Sequence, residues 1–295
     1  MKKILITLIS FFLITSSNAD NLENSLNKLY EMGSKSTEDF ISNILPEGPG
    51  DTEVSIRFKN ENKPVGSIMF VRPLFFDDQN VLFYQAQVNN NYVLGDSRQS
   101  VNFGVGKRFL SDDESYFLGL NSFVDYDIRG NERLSIGGEV KASAFDLTTN
   151  YYLGSGNQGN VVGNNTERVL TGYDFILNGQ VPYVPWAKVG YNDYKYEAKN
   201  NSTDLDGKIY SGEIYISNSM TFEFGYDDNN IQDTTDYIKL IYLAGGKERP
   251  TIADGLSDKV FVNSNVSKDM LKKVRRSNIM TLEVASSGVV ISNGN

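Results

Sequence analysis

The chain has 295 residues, a formal net charge of −9 and neither histidine nor cysteine. That balance excludes disulfide frameworks, thiol chemistry, histidine-based triads and most zinc sites, and it argues against nucleic acid as a partner, because phosphate contacts need clustered Lys and Arg. A mean hydropathy of −0.34 excludes a bundle of membrane helices, while 17 Tyr, 17 Phe and 26 Gly against 7 Pro suit long twisted strands.

Residues 1–19 read MKKILITLISFFLITSSNA. Lys2 and Lys3 precede an apolar run, and Ser17-Asn18-Ala19 offers small residues at a cleavage site. This is the pattern of an export signal cut after Ala19, and the run is too short for a spanning helix. Residues 20–50 carry apolar residues at helical spacing and end at Pro46 and Gly48-Pro49-Gly50. They are expected to form a short periplasmic helical segment and linker.

From Asp51 to Gly246 the period changes to two. Val54, Ile56 and Phe58 alternate with Ser55 and Arg57, and Val101, Phe103 and Val105 alternate with Asn102, Gly104 and Gly106. Further alternating runs follow at Ser115–Asp127, Leu134–Lys141, Phe145–Tyr151, Val169–Val181, Ala187–Asn192, Tyr210–Ile216, Met220–Asp227 and Ile238–Tyr242. With Ser67–Pro73 and Val81–Asn89, these predict about twelve strands, an even number as bacterial membrane barrels require. The connections sort by parity: NENKP, NNYVLGDSR, IRGNE, GSGNQGNVVGNNTE, AKNNSTDLDG and DNNIQDTT are polar and mostly long, whereas LSDDE, KASA, PYVP and SNS are short and LFFDDQN is the exception. Long outer loops and tight inner turns are how outer-membrane barrels are built, and a soluble sandwich has no reason to sort its loops this way.

The strand 169–181 states the choice in miniature. Tyr173, Phe175 and Leu177 share one face; Asp174 and Asn178 share the other. In a membrane barrel the apolar face meets lipid and the polar face lines a wet lumen. The lumen-facing candidates are then Arg57, Asn102, Arg108, Glu139, Lys141, Asp174, Lys188, Glu213, Glu223 and Lys239. Aromatic girdles are expected from Phe109, Tyr116, Tyr151, Tyr152, Tyr183, Trp186, Tyr191, Tyr194, Tyr196 and Tyr226. Gly104, Gly106, Gly137, Gly172 and Gly225 fall on polar faces and would leave room for a plug.

The segment 247–295 is weakly periodic and carries the basic cluster Lys272, Lys273, Arg275 and Arg276. It is expected to act as a linker or plug in the lumen, its cations meeting carboxylates such as Glu139, Asp174, Glu213 or Glu223. The acidic turns at Asp112-Asp113-Glu114 and Asp227-Asp228 lack a full cation-binding loop and read as solvated. No catalytic constellation, cofactor or metal site is expected.

Several segments together resemble one family. VNFGVGKRFLSDDESYFLGLNSFVDYDIRGNERLSIGGEVKASAFDLTTNYYLG (101–154), GYDFILNGQVPYVPWAKVGYNDYKYE (172–197) and DMLKKVRRSNIMTLE (269–283) resemble, in order and spacing, the inverse autotransporter β-domain of the intimin/invasin family. The resemblance implies a twelve-stranded outer-membrane barrel in a Gram-negative envelope, surrounded by lipid and assembled with periplasmic chaperones and barrel-assembly machinery. It implies a linker that crosses the pore toward a surface passenger, and no enzymatic step. Roughly a dozen residues follow Glu283, fewer than the ~100 of one immunoglobulin-like domain. The expectation is therefore a barrel without its adhesive passenger, any passenger being separately encoded and any surface partner unknown. The alternative is a small porin-like channel with a periplasmic tail.

Overall fold

The computed structural model describes residues 48–59, 63–154, 159–162, 165–200 and 203–290. The expected export signal, and the expected helical segment up to residue 47, lie outside the described residues. Strands β1 (Thr52–Lys59), β2 (Val65–Phe76), β3 (Asn80–Val93), β4 (Asp96–Leu110), β5 (Tyr116–Asp127), β6 (Glu132–Ala142) and β7 (Phe145–Gly154) are antiparallel neighbours in chain order. The hairpin β8 (Asn160–Val162) and β9 (Asn165–Val169) stands apart from this wall. β10 (Thr171–Val181) returns to pair with β7, and β11 (Val184–Glu197), β12 (Leu205–Tyr215), β13 (Met220–Asn229) and β14 (Thr235–Leu243) continue the sheet. Pairing of β1 with β14, from Glu53↔Leu243 to Lys59↔Tyr237, closes the barrel. Twelve strands, antiparallel and closed, are what the alternation predicts, and closure leaves no strand edge without a partner.

The barrel is inverted relative to a soluble protein. On β4 the side chains of Asn102 and Arg108 are buried inside, while Val101, Phe103, Val105 and Phe109 are exposed outside. On β10 Asp174 and Asn178 are buried, while Tyr173, Phe175 and Leu177 are exposed. The polar face is thus the covered one. Strands of period two can sustain this only if a nonaqueous medium surrounds the outer face.

The inward glycines make room for rings. A Cβ at Gly104 would collide with the Phe123 ring, one at Gly106 with Phe83, one at Gly172 with Tyr196 and one at Gly225 with Tyr237. Gly137 admits the side chains of Asn121 and Asn150 in the same way. The space expected for a plug is therefore taken first by wall side chains lying over the glycines.

Three expectations need correction. Tyr152, Tyr194 and Tyr196 are buried inside the lumen and form no girdle. Register explains this: Tyr152 pairs with Gly172 and Tyr194 with Asp174, so all share the inward parity. Their hydroxyls find buried partners, Tyr152 on Asp174 (2.6 Å) and Tyr194 on Asp227 (2.6 Å). Second, the connection NNYVLGDSR is mostly strand. Only Leu94 and Gly95 turn, both at positive φ (50° and 86°), as a tight hairpin requires. LFFDDQN is likewise no long loop, since β2 runs to Phe76 and leaves 77–79. Third, 169–181 is two elements: Val169 ends β9, Thr171 begins β10, and buried Leu170 lies between them.

Candidate functional site: the tail segment and the lumen wall

After β14 the chain first follows one end of the barrel, the end with the short turns. Lys247 N–H donates to Asn218 O (3.0 Å) and the Arg249 guanidinium to Ser217 O (2.9 Å), both in the β12–β13 turn. A 3-10 turn, Ile252–Asp254, is capped by Asp254, whose carboxylate accepts from the backbone N–H of Thr251 (2.7 Å) and is held below its usual range by that bond. The Trp186 indole then donates to Gly255 O (2.7 Å), and Tyr183 in the β10–β11 turn exchanges backbone bonds with Ser257 and Val260. Ser143 in the β6–β7 turn accepts from Ser264 N–H (2.6 Å), and Glu114 in the β4–β5 turn accepts from Val266 N–H (3.1 Å). Asn265 donates to the Glu114 carboxylate.

At a second 3-10 turn, Val266–Asp269, the chain goes inside. Val266, Met270 and Val274 recur every four residues and pack on Met69, Val71, Val81, Phe83, Leu110, Phe117 and Phe123. Arg108, fully buried and held by Glu139 (2.7 and 3.1 Å), donates to the carbonyls of Met270 (2.8 Å) and Lys272 (2.6 Å). Its guanidinium lies over the Phe83 and Phe117 rings. Gln85 Oε1 accepts from Val274 N–H (2.8 Å).

The basic cluster comes next. Lys272 pairs with Asp269 of its own segment (2.8 Å) and Lys273 with Glu53 on β1 (2.6 Å). Arg275 bridges Glu213 (2.6 Å) and Asp146 (3.1 Å). Arg276 forks onto Asp125 (2.9 and 2.7 Å), touches Ser135 Oγ (2.9 Å) and lies over the Phe123 ring at 4.4 Å. Asp125 also accepts from Arg133 (2.7 Å) and Asn102 (2.7 Å). A carboxylate with this many charge-assisted bonds has its lone pairs filled, which is the condition under which a buried ion pair holds.

The backbone beyond Arg276 is read by the wall. Tyr152 OH accepts from Ser277 N–H (2.7 Å) while donating to Asp174; Arg133 donates to Ser277 O (2.6 Å), and Asn102 to Asn278 O (2.8 Å). At the long-loop end Leu170 N–H donates to Thr281 O (3.0 Å). β15 (Leu282–Val284) then pairs with β9 and turns into β16 (Gly288–Val290), giving a four-stranded sheet in the order β16-β15-β9-β8. Glu167 on β9 pins this sheet to the wall through a fork from Arg98 (2.6 and 2.8 Å) and a bond from Asn131 (2.7 Å).

Each candidate from the sequence has a place inside. Asn102, Arg108, Glu139, Asp174 and Glu213 are buried, and Asn102, Arg108 and Glu213 touch the tail directly. Lys141 lies between Asp146 (3.9 Å) and tail Asp269 (3.8 Å), and Lys188 against Asp146 (3.4 Å). Arg57, Glu223 and Lys239 form a separate group, Glu223 lying 4.0 Å from Arg57 and 3.7 Å from Lys239. Of the four acids expected to meet the basic cluster, Glu213 does so. Glu139 serves Arg108, Glu223 serves the separate group, and Asp174, bonded to Tyr152 and Asn150, faces the Ser277 N–H of the tail rather than pairing with a cation of the cluster. Lys273 goes to Glu53, Arg276 to Asp125 and Lys272 to Asp269 of its own segment, while Asp146 shares Arg275 with Glu213. Asp125 stands in the aromatic run YFLGLNSFVDYD, where sorting by parity would have put it inward with Asn121 and Phe123.

Beside the tail a cavity of about 190 Å³ remains, bordered by Glu53, Arg57, Glu213, Glu223, Lys239 and Lys273 among others.

A closed barrel with apolar exterior and charged interior defines an outer-membrane β-barrel protein of a Gram-negative envelope. The model of the inverse autotransporter β-domain matches residues 9–212, and the chain belongs to that family. The match ends within β12, so the tail lies beyond it. No curated protein sequence matches the chain. Among solved structures, a chain described under "Unveiling the Mechanism Behind the in-meso Crystallization of Membrane Proteins" is 20% identical with a TM-score of 0.62, over 79% of this chain and 99% of that one. Also similar are an outer membrane channel from Pseudomonas putida F1 (9%, TM-score 0.47, 67% and 97% covered) and outer membrane phospholipase A from Escherichia coli (11%, 0.42, 66% and 97%).

Proposed function

We propose that this barrel anchors the chain in the outer membrane and holds its own segment 266–284 as a linker threaded from the periplasmic to the outer side. The observation that supports this is the unbroken series of contacts from Glu114, through Arg108 and Asp125, to β9. The work is mechanical: wall side chains hold the linker's carbonyls, N–H groups and cations, and no bond is made or broken. Insertion of such a barrel calls on the barrel-assembly machinery and periplasmic chaperones as partners.

The chain has no cysteine, so single cysteines report topology cleanly. Ser286→Cys, in the exposed turn between β15 and β16, is expected to react with a membrane-impermeant maleimide on intact cells. Asn263→Cys, on the short-turn end, is expected to react only after the outer membrane is permeabilised. Labelling at both positions only after permeabilisation would overturn threading. The residual cavity supports a second reading, a small porin-like conductance beside the linker. A conductance in planar bilayers unchanged by deleting residues 251–295 would favour that reading with the tail outside the pore.

A further inference from the structure

The segment 252–261 is the least covered part of the described tail. Ile252, Leu256, Val260 and Phe261 are all exposed, Leu256 at 75%. Four large apolar side chains within ten residues are not left in water without reason. The segment is also fixed rather than dangling. The Trp186 indole holds Gly255 O, Tyr183 N–H donates to Val260 O (2.9 Å), Ser257 N–H donates to Tyr183 O (2.9 Å), and Gln180 Oε1 accepts from Val262 N–H (3.0 Å).

The turn that receives it is strained. Tyr183 has φ +65°, one of three non-glycine residues at positive φ among the described residues, and its ring is exposed. A bulky residue in the left-handed region is strained, because its Cβ crowds the backbone. A glycine would avoid that strain but would leave no ring at this level. Glu114, which receives the other end of the rim segment, is another of the three, with φ +54°.

Around it, at the same end of the barrel, Phe76, Phe109, Tyr116 and Phe145 are exposed on the outer face. They lie at the short-turn ends of β2, β4, β5 and β7. The apolar residues of the rim segment continue this ring, tied by backbone bonds to the turn of two membrane-spanning strands. Continuity with the lipid-facing surface, at a level set by Trp186 and Tyr183, selects the occupant.

We propose that residues 252–261 form a membrane-interface contact, with Leu256, Val260 and Phe261 inserted among the phospholipids of the leaflet on the short-turn side. The tail would then leave β14 along the membrane surface before turning inward at Val266. Tyr and Trp are suited to the interfacial level, with an apolar body and a polar edge. Asp254, Asp258 and Lys259 of the same segment would face the headgroups and water.

The test uses the full-length protein in phosphatidylcholine vesicles, with and without brominated acyl chains. Leu256→Cys and Val260→Cys carry a bimane label, and Lys268→Cys, beyond the rim, is the reference. Retention of heat-modifiable gel migration shows that each variant is folded. Bromine is expected to quench the label at 256 and 260 at least twofold more than at 268. The single tryptophan, Trp186, at the start of β11, marks the depth of the barrel's rim without any substitution. Equal, weak quenching at all three positions would overturn the proposal. So would shielding that appears only as protein density in the vesicle rises, which would make a second copy the occupant. Because the readout is lipid proximity at the rim, it is independent of whether Ser286 reaches the cell surface.

Discussion

The two sides of the lumen use charge differently. The wall made by β4 to β7 has the dry charges: Arg108, Asp125, Arg133 and Tyr152 are exposed by 1% or less, and each touches the tail or the residue that does. The wall around β1, β12, β13 and β14 borders the cavity, and Arg57 and Lys239 there share the carboxylate of Glu223. The residue types are the same. What differs is solvent: a charge in the dry wall must be paired and hydrogen-bonded, whereas one beside the cavity has water to share. A list of lumen charges therefore says little about which of them grips a guest: Arg108 and Asp125, sealed by Phe83, Phe117 and Phe123, do so, and so do Glu53 and Glu213 beside the cavity, while Arg57 and Lys239 serve Glu223.

The substitution expected to break this contrast most severely is Asp125→Ala. It strands two buried guanidinium groups, and breaking such a pair costs roughly 3–5 kcal/mol. Urea unfolding in lipid vesicles should show a lowered midpoint, and protease should cut the tail between 266 and 281. Arg276→Met should cost less, about 1–3 kcal/mol, because Asp125 keeps Arg133 as a partner. If both variants unfold alike, the wall does not neutralise itself and the comparison fails. Tyr152→Phe removes the hydroxyl between Ser277 N–H and Asp174, leaving a buried carboxylate short of a donor at a cost of about 1–3 kcal/mol. It should raise maleimide access to a cysteine at 277 or 278 while the barrel stays folded. Glu223→Gln, across the cavity, should leave tail protection within about 0.5 kcal/mol of wild type. Its effect should appear in the ion preference of any residual conductance.

Much of the barrel was legible in the sequence because period two is a local signal. Tyr173, Phe175 and Leu177 announce one face and Asp174 and Asn178 the other without knowledge of any neighbour. Strand ends were less legible: Asn90 to Val93 are polar enough to read as loop, yet paired with Asp96–Gln99 they extend the hairpin. The tail's partners were hardest. Arg276 and Asp125 lie 151 positions apart, and which acid meets which cation depends on how high each strand sits in the barrel. That height is set by register, summed strand by strand around the wall, and no single segment carries it. The inward tyrosines were missed for a related reason, since an aromatic residue near a strand end satisfies both the girdle pattern and the lumen pattern until parity is fixed.

The pairing of Asp125 with Arg133, of Glu139 with Arg108, and of Asp146 with Lys141 and Lys188 bears on the order of events during biogenesis. Each of these strand carboxylates has a cation from the wall itself. Glu53 and Glu213, whose ion-pair partners Lys273 and Arg275 come from the tail, both border the cavity, where water can solvate them. Asp174, which has no wall cation, keeps the wall donors Tyr152 and Asn150, so an empty barrel strands no sealed carboxylate. The cylinder can therefore close before the tail is seated without leaving a sealed carboxylate bare.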